Sequence, residues 1–187
     1  YVCGMVLRTR LCCVEHEEHV SDSLQWHLIA QLDVRAARGS ILNLEDLWKS
    51  WVTSVEHDRS TRCPRHESDG CTAPGAKVMF LEREPPVLFL CLRRDHRNVN
   101  GRESKDTRRV VFPQTLEWLR SGQYRFAAVI RHSGAGMRSG HYTSHVLLGE
   151  LDAGTSVYAY CNDDAIPVRQ SWDQLAIQQV QREAYIL

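Results

Sequence analysis

The 187-residue sequence contains no apolar run approaching the roughly 20 residues that a membrane-crossing helix needs, so no membrane partner is expected. It has no excess of charge either: Lys+Arg and Asp+Glu number 23 each. A broad nucleic-acid surface draws on many uncompensated basic side chains, so no nucleic-acid partner is expected, although arginine far outnumbers lysine. Internal repeats and low-complexity tracts are absent, which excludes solenoids and disordered arrays. The charged-then-apolar opening of a secretory signal is missing. The chain opens on Tyr1 rather than Met, amid residues that read as structured, and an excised part of a longer protein is expected. An even cysteine complement is lacking too: the seven cysteines are irregularly spaced. That pattern suits reduced thiols in a metal site or core, inside a cell, better than a disulfide framework.

What is present is ordinary globular composition, 43% apolar and 25% charged, enough for one domain with a core or part of a larger one. Strands dominate the reading. Alternating or continuous apolar runs predict strands within 1–11, at Leu24 to Val34, Lys77 to Leu81, Val87 to Arg93, Arg109 to Phe112 and Val157 to Tyr160, and a last one at Ala184 to Leu187. The Val87 to Arg93 run is apolar at nearly every position, which predicts burial on both faces with Cys91 in the core. Asn43 reads as an N-cap, with Asp46 three residues on. Leu44, Leu47, Trp48, Trp51 and Val55 recur at helical spacing and predict a helix over 44–56 with core tryptophans. Ser171 is expected to cap a second helix from Trp172 to about Val180. The polar stretch 57–75 reads as a loop or metal knuckle, and Asp95 to Arg108 as an exposed, mobile insertion.

Two constellations carry chemistry. In the first, alternating runs at Tyr124 to Ile130 and Tyr142 to Leu148 flank a glycine-rich stretch that ends in Gly140-His141. Asn162 and Asp163 follow at the end of another apolar run. A histidine at a hairpin mouth, with an amide or carboxylate on a neighbouring strand, suits a base and the partner that fixes its tautomer. A hairpin histidine beside an unrelated turn reads equally well from spacing alone. In the second, Cys13-x-x-His16 and Cys63-x-x-His66 repeat one spacing. Two intervening residues let both ligands face one tetrahedral metal, and Cys2His2 is a common structural zinc set. Cys12 and Cys71 are alternative ligands, and two metal-free polar turns are the other reading. A DNA-reading finger is not expected, because its ligand pairs lie about a dozen residues apart around one helix. None of the remaining cysteines, Cys3, Cys91 or Cys161, has the setting of an activated nucleophile.

The ordered set of segments resembles the C-terminal part of the catalytic domain of the ubiquitin-specific proteases. Tyr124 to Gly134 followed by Ser139-Gly140-His141-Tyr142-Thr143-Ser144 resembles the family's histidine box. Val157 to Ile166 resembles the segment holding its third catalytic residue, which carries over to Asn162 with Asp163 beside it. Pro85 to Arg94 and Val111-Phe112-Pro113 resemble its proline-led strands, and the two CxxH pairs stand where the family has two CxxC zinc pairs. The nucleophile box is absent, Asp95 replaces a usual Phe, and His replaces Cys in both metal pairs. The resemblance implies an α+β, papain-like cysteine protease with a mostly antiparallel sheet, residues 12–80 forming a fingers-like region and 81–187 the palm. It implies a thiol-dependent deubiquitinase acting after the C-terminal glycine of ubiquitin, with ubiquitin and ubiquitinated proteins as partners. His141 would be the base, Asn162 its orienting partner and Asp163 a support. Gly140 and Tyr142 would border the substrate, and zinc would sit on Cys13, His16, Cys63 and His66. The implied setting is cytoplasmic or nuclear. These 187 residues alone are expected not to turn over substrate. A ubiquitin-binding scaffold relative without a nucleophile is the second reading, and a zinc-stabilised interaction module the third.

Overall fold

The computed structural model describes all residues except 1, 53–54, 57–60, 98, 102, 120–121, 135, 137–138 and 152–154. The expected strand start at Tyr1, the helix at 53–54, the loop at 57–60 and three residues of the glycine-rich stretch therefore lie outside the described residues.

Among the described residues the chain runs β1 (Met5–Cys13), β2 (Val20–His27), β3 (Ala30–Asp33), β4 (Ile41–Asn43), α1 (Leu44–Val52), β5 (Val55–Glu56), α2 (His66–Asp69) and β6 (Gly75–Arg83). It continues with β7 (Leu90–Arg93), β8 (Asp95–Arg97), β9 (Glu103–Lys105), β10 (Arg109–Val111), β11 (Thr115–Leu119) and β12 (Gly122–Arg125). It ends with β13 (Ala128–Ser133), β14 (His141–Glu150), β15 (Ser156–Cys161), β16 (Val168–Ser171), α3 (Trp172–Leu175), α4 (Gln178–Glu183) and β17 (Ala184–Ile186). The chain divides into two compact units: 1–30 with 48–88, and 31–47 with 89–187. No helix among the described residues is long and apolar enough to cross a membrane.

The first unit is an antiparallel sheet in the order β2-β1-β6-β5. Side chains alternate across a strand, and Met5 and Leu7 of β1 are buried on one face. His27, on that same face of β2 by its register with Met5, meets Trp51 edge-on, and Trp51 leans on Trp48. At the far end of β1 two loops close on each other. The Cys13 amide donates to His19 O, Val14 N to Pro74 O, and Cys63 N to Ala73 O.

The second unit is a seven-stranded sheet in the order β16-β15-β14-β13-β17-β7-β3. The ladders from β16 to β7 are antiparallel, and β10 pairs with β4 in parallel. Phe112, Phe126 and Tyr158 are buried and, with Trp172, form an aromatic cluster. Ser171 makes the full capping box of α3 with Gln174. Arg94 is completely buried and donates to the carbonyls of Ala184, Gln181, Asp106 and Arg108.

Several expectations change. Leu24 to Val34 is not one strand: the chain bends at Leu28 and Ile29, and β2 and β3 join different sheets. The helix is described over Leu44–Val52, while Val55–Glu56, expected at its end, is strand β5, and the amide of Asn43, the residue before the helix, donates to Asp46 at 3.5 Å. Val87 to Arg93 is not buried on both faces, since Leu90 and Leu92 are buried while Cys91 is half-buried and Arg93 exposed. The second helix breaks into α3 and α4 between Leu175 and Gln178. The stretch Asp95 to Arg108 is not a loose insertion. β8 and β9 pair as a hairpin, and Arg108 donates to the carbonyls of Val34, Ala37 and Gly39 while its guanidinium holds Asp106.

Candidate active site and metal centre

β13 and β14 bring the histidine to the end of a ladder, with Ser133 opposite His141 and His132 opposite Tyr142. β15 pairs with β14, Ser144 opposite Cys161, so the residue after β15 falls beside the start of β14. That residue is Asn162, whose Oδ1 lies 2.5 Å from His141 Nε2. An amide oxygen only accepts, so the proton of that bond is on Nε2 and Nδ1 is the nitrogen left for proton transfer. Asp163 takes a left-handed backbone (φ 45°) in a turn closed by Ala165 N on Asn162 O. Its carboxylate stands 3.7 Å from the same Nε2 and is largely exposed. The His141 side chain is about half exposed, at 48%.

The structure gives Gly140 a specific reason. A Cβ there would lie 2.2 Å from His132 Nε2 and 2.5 Å from Ser133 O. The residue before the histidine therefore has no room for a side chain. Tyr142 is exposed, with its ring 4.6 Å from that of His132. A pocket of about 440 Å³ opens nearby in the same unit, bordered by Cys91, Asp95, His96 and Tyr185. Tyr185 is 6.5 Å from Tyr142 between ring centres and donates its hydroxyl to Asp95. Burial, then the Asp95 carboxylate, pushes the Tyr185 phenol well above its usual range.

The four residues expected as metal ligands are not all brought together. Cys13 Sγ lies 3.5 Å from His16 Nδ1 and 3.9 Å from Cys71 Sγ, and Cys71 Sγ lies 3.6 Å from His16 Nδ1. Zinc bonds of about 2.3 Å to sulfur and 2.0 Å to nitrogen, set tetrahedrally, require ligand separations of about 3.8 Å for S···S and 3.5 Å for S···N. The three distances match the edges of such a tetrahedron. His19 completes a group whose four ligand atoms all lie within 4.8 Å of one another. Cys63 Sγ adjoins it, 3.4 Å from His19 Nδ1 and packed against Cys13 and Cys71. His66 faces elsewhere: its Nδ1 meets the Cys71 carbonyl and its Nε2 lies 3.2 Å from the Arg62 guanidinium. Burial raises the Cys13 thiol, but backbone donors at Glu15 and His16 and the His16 ring outweigh it and bring it down to about 6. Burial pushes Cys63 up to about 11.

Sequence reasoning missed His19, although Cys13, His16 and His19 repeat one three-residue step. It held Cys71 only as an alternative. It also missed His132, Lys105 and Tyr185 around the hairpin mouth, for which spacing gives no signal.

The chain matches the sequence model of the family described as ubiquitin carboxyl-terminal hydrolase over residues 2–187. It is 28% identical over 181 residues to ubiquitin carboxyl-terminal hydrolase 10-B of Xenopus laevis, covering 89% of this chain and 21% of that protein. It is 27% identical over 128 residues to the probable ubiquitin carboxyl-terminal hydrolase 3 of Schizosaccharomyces pombe, covering 62% and 23%. The chain thus spans about a fifth of the length of the curated relatives it matches. Among solved structures it resembles a chain of the SAGA DUB module Ubp8/Sgf11/Sus1/Sgf73 bound to monoubiquitin, with TM-score 0.79 and 19% identity over 100% of this chain and 40% of that one. The same module bound to ubiquitin aldehyde gives TM-score 0.76 and 17% identity, over 99% and 40%. These likenesses establish the fold: α+β, papain-like, with mostly antiparallel sheets.

Proposed function

Because the chain belongs to the ubiquitin carboxyl-terminal hydrolase family, we propose that it is the base-bearing part of a thiol-dependent deubiquitinase. The observation that carries this reading is the His141 Nε2 to Asn162 Oδ1 contact. It gives the imidazole a fixed tautomer and leaves Nδ1 to exchange a proton with a cysteine thiol. The thiolate attacks the carbonyl carbon of the terminal glycine of ubiquitin, the bond from that carbon to nitrogen breaks, and His141 gives its proton to the departing amine. Water, deprotonated by His141, then releases ubiquitin from the thioester. Asp163 supports the imidazolium from 3.7 Å, and Tyr142 borders the incoming tail.

The nucleophile in this reading lies outside these 187 residues. Cys13, Cys63 and Cys71 belong to the Cys/His group, Cys161 Sγ faces the Ala159 carbonyl, and burial raises the Cys91 thiol. Residues 12–80 are read as the fingers-like region and 81–187 as the palm, except that 31–47, which pack with 89–187, go with the palm; ubiquitin is read as the partner, since the similar solved modules are bound to it. Cys13, His16 and Cys71 would hold zinc, with Cys63 or His19 as the fourth ligand. Bound there, it would supply a structural cross-link between two loops. Free thiols throughout support a reducing, cytoplasmic or nuclear setting.

The test uses the full-length protein and a fluorogenic ubiquitin C-terminal amide. His141→Ala is expected to lower turnover by about 10²- to 10⁴-fold, the usual contribution of a positioned base, with the thermal melt unchanged. Asn162→Ala is expected to fall between it and wild type. Undiminished turnover in His141→Ala removes the assignment. Ubiquitin binding with no turnover by the wild-type protein would instead support a scaffold without a nucleophile.

A further inference from the structure

The turn before His141 is held from below by a side chain that lies on another hairpin. Lys105 ends β9, opposite Asp95 of β8. Its ammonium donates to the His132 carbonyl, to Gly134 O at 3.3 Å and to His132 Nδ1 at 3.0 Å. An ammonium has three donors and no acceptor, so these contacts use all three. They also require Nδ1 of His132 to be the acceptor, which puts that ring's proton on Nε2. This is the ring edge against which Gly140 is pressed, since a Cβ on Gly140 would come 2.2 Å from it. The outgoing and returning chain touch at the same place: a Cβ on Gly134 would lie 2.5 Å from Ser139 O and 2.9 Å from Gly140 Cα. His132 is 4% exposed, so neither its ring nor its carbonyl has water to turn to in place of the lysine.

We propose that Lys105 is a positioning residue for the reaction at His141, fixing the 132–134 backbone and the His132 ring on which Gly140 rests, and so the place of His141 itself. The inference rests on His141 being the base. The electrostatics agree with a neutral His132: burial and then the Lys105 charge hold its imidazole below the usual range. Burial and then Arg94 lower Lys105, with Glu183 and Asp95 opposing. Asp95 is itself bonded by the Tyr185 hydroxyl, and Glu183 by Arg131. The lysine is left to serve the hairpin mouth, where the carbonyl of the buried His132 needs a donor.

The experiment uses the full-length protein and two readouts. Lys105→Met is expected to lower kcat by about 10- to 100-fold, the scale of a small misplacement of a reacting group, with KM within about twofold. Amide exchange of peptides covering 131–141 is expected to accelerate. Lys105→Arg, which keeps charge and donors, is expected to recover most of both, and Lys105→Gln to recover part. A rise in KM alone would make Lys105 a substrate contact and overturn the proposal. So would Lys105→Arg behaving no better than Lys105→Met. If the wild-type protein shows no turnover, the reading of His141 fails, while the exchange readout still judges the lysine. Unchanged exchange in both Met and Gln variants then removes the positioning role.

Discussion

At the scale of single residues, Arg94 shows how a charge can be a core element. Among the described residues no carboxylate is bonded to it, and it is fully buried. Burial lowers its pKa to about 10, still far above neutrality, so it stays charged. Its four carbonyl partners at Asp106, Arg108, Gln181 and Ala184 join the end of the β8–β9 hairpin to the start of β17. Arg94→Met keeps the apolar stem but strands those carbonyls, each costing about 1–3 kcal/mol when left without a donor. Partial relaxation brings the expected loss to about 3–5 kcal/mol, read as a lower urea midpoint with an unchanged slope. Lys, with no planar fork, is expected to rescue little. A loss under about 1 kcal/mol would show that water reaches these carbonyls.

At the scale of elements, the loop pair at the end of β1 is where the expected ligands and the side chains that cluster part. A CxxH repeat predicts that each pair contributes equally. The short helix α2, which begins at His66 and ends on Gly70 with a left-handed backbone, turns His66 onto the Cys71 carbonyl and sends the chain back so that Cys71 enters the cluster. The expected outcome is that well-folded protein carries about one zinc, that Cys71→Ser loses it, and that His66→Ala retains it. His19→Ala and Cys63→Ser then identify the fourth ligand, since only one of them should abolish binding. Atomic emission on dialysed protein reads the stoichiometry. Zinc lost in His66→Ala and kept in Cys71→Ser would restore the sequence-based set.

At the scale of the molecule, several groups of the second unit share one pH response. Burial lowers His145, with Arg131 adding to it, and burial lowers His132, with Lys105 adding to it. A histidine whose folded pKa is depressed takes up protons more readily when unfolded. Its contribution is therefore full above its unfolded pKa, about 6.5, and is lost as pH falls towards the folded value. Burial raises Glu183 and Asp106, but bonds from Arg131 and Arg108 outweigh it and hold both carboxyls low. Their contribution is present above about pH 4 and is lost below it. Stability should fall from pH 7.5 to 5.5, then again towards pH 3. His145→Gln, which can still meet Gln170, is the variant that isolates the first step: its urea midpoint should vary less over pH 7.5 to 5.5 than that of wild type. An equal slope in both proteins would remove His145 from the account.

The strand-rich character, the hairpin around Gly140-His141 and the Ser171 cap were legible in the sequence, and the family resemblance, where spacing left the matter open, pointed to Asn162 as the partner of His141. Each of these is written in local spacing or carried by contiguous motifs. Alternation specifies a strand, and a strand's end fixes where its last residues point. Tertiary structure alone decided which face of β7 is covered, because an apolar run does not say what packs on either side. It also decided the order of the charged stretch 95–108. The internal carbonyls that satisfy Arg94, Lys105 and Arg108 come from far along the chain. Polar satisfaction is a property of the folded surroundings, so the same residues read as a solvated loop until those carbonyls are in place. The presence of Cys71 rather than His66 in the Cys/His cluster has the same cause. Spacing tells which ligands can share a site, and only the path of the backbone tells which ones do.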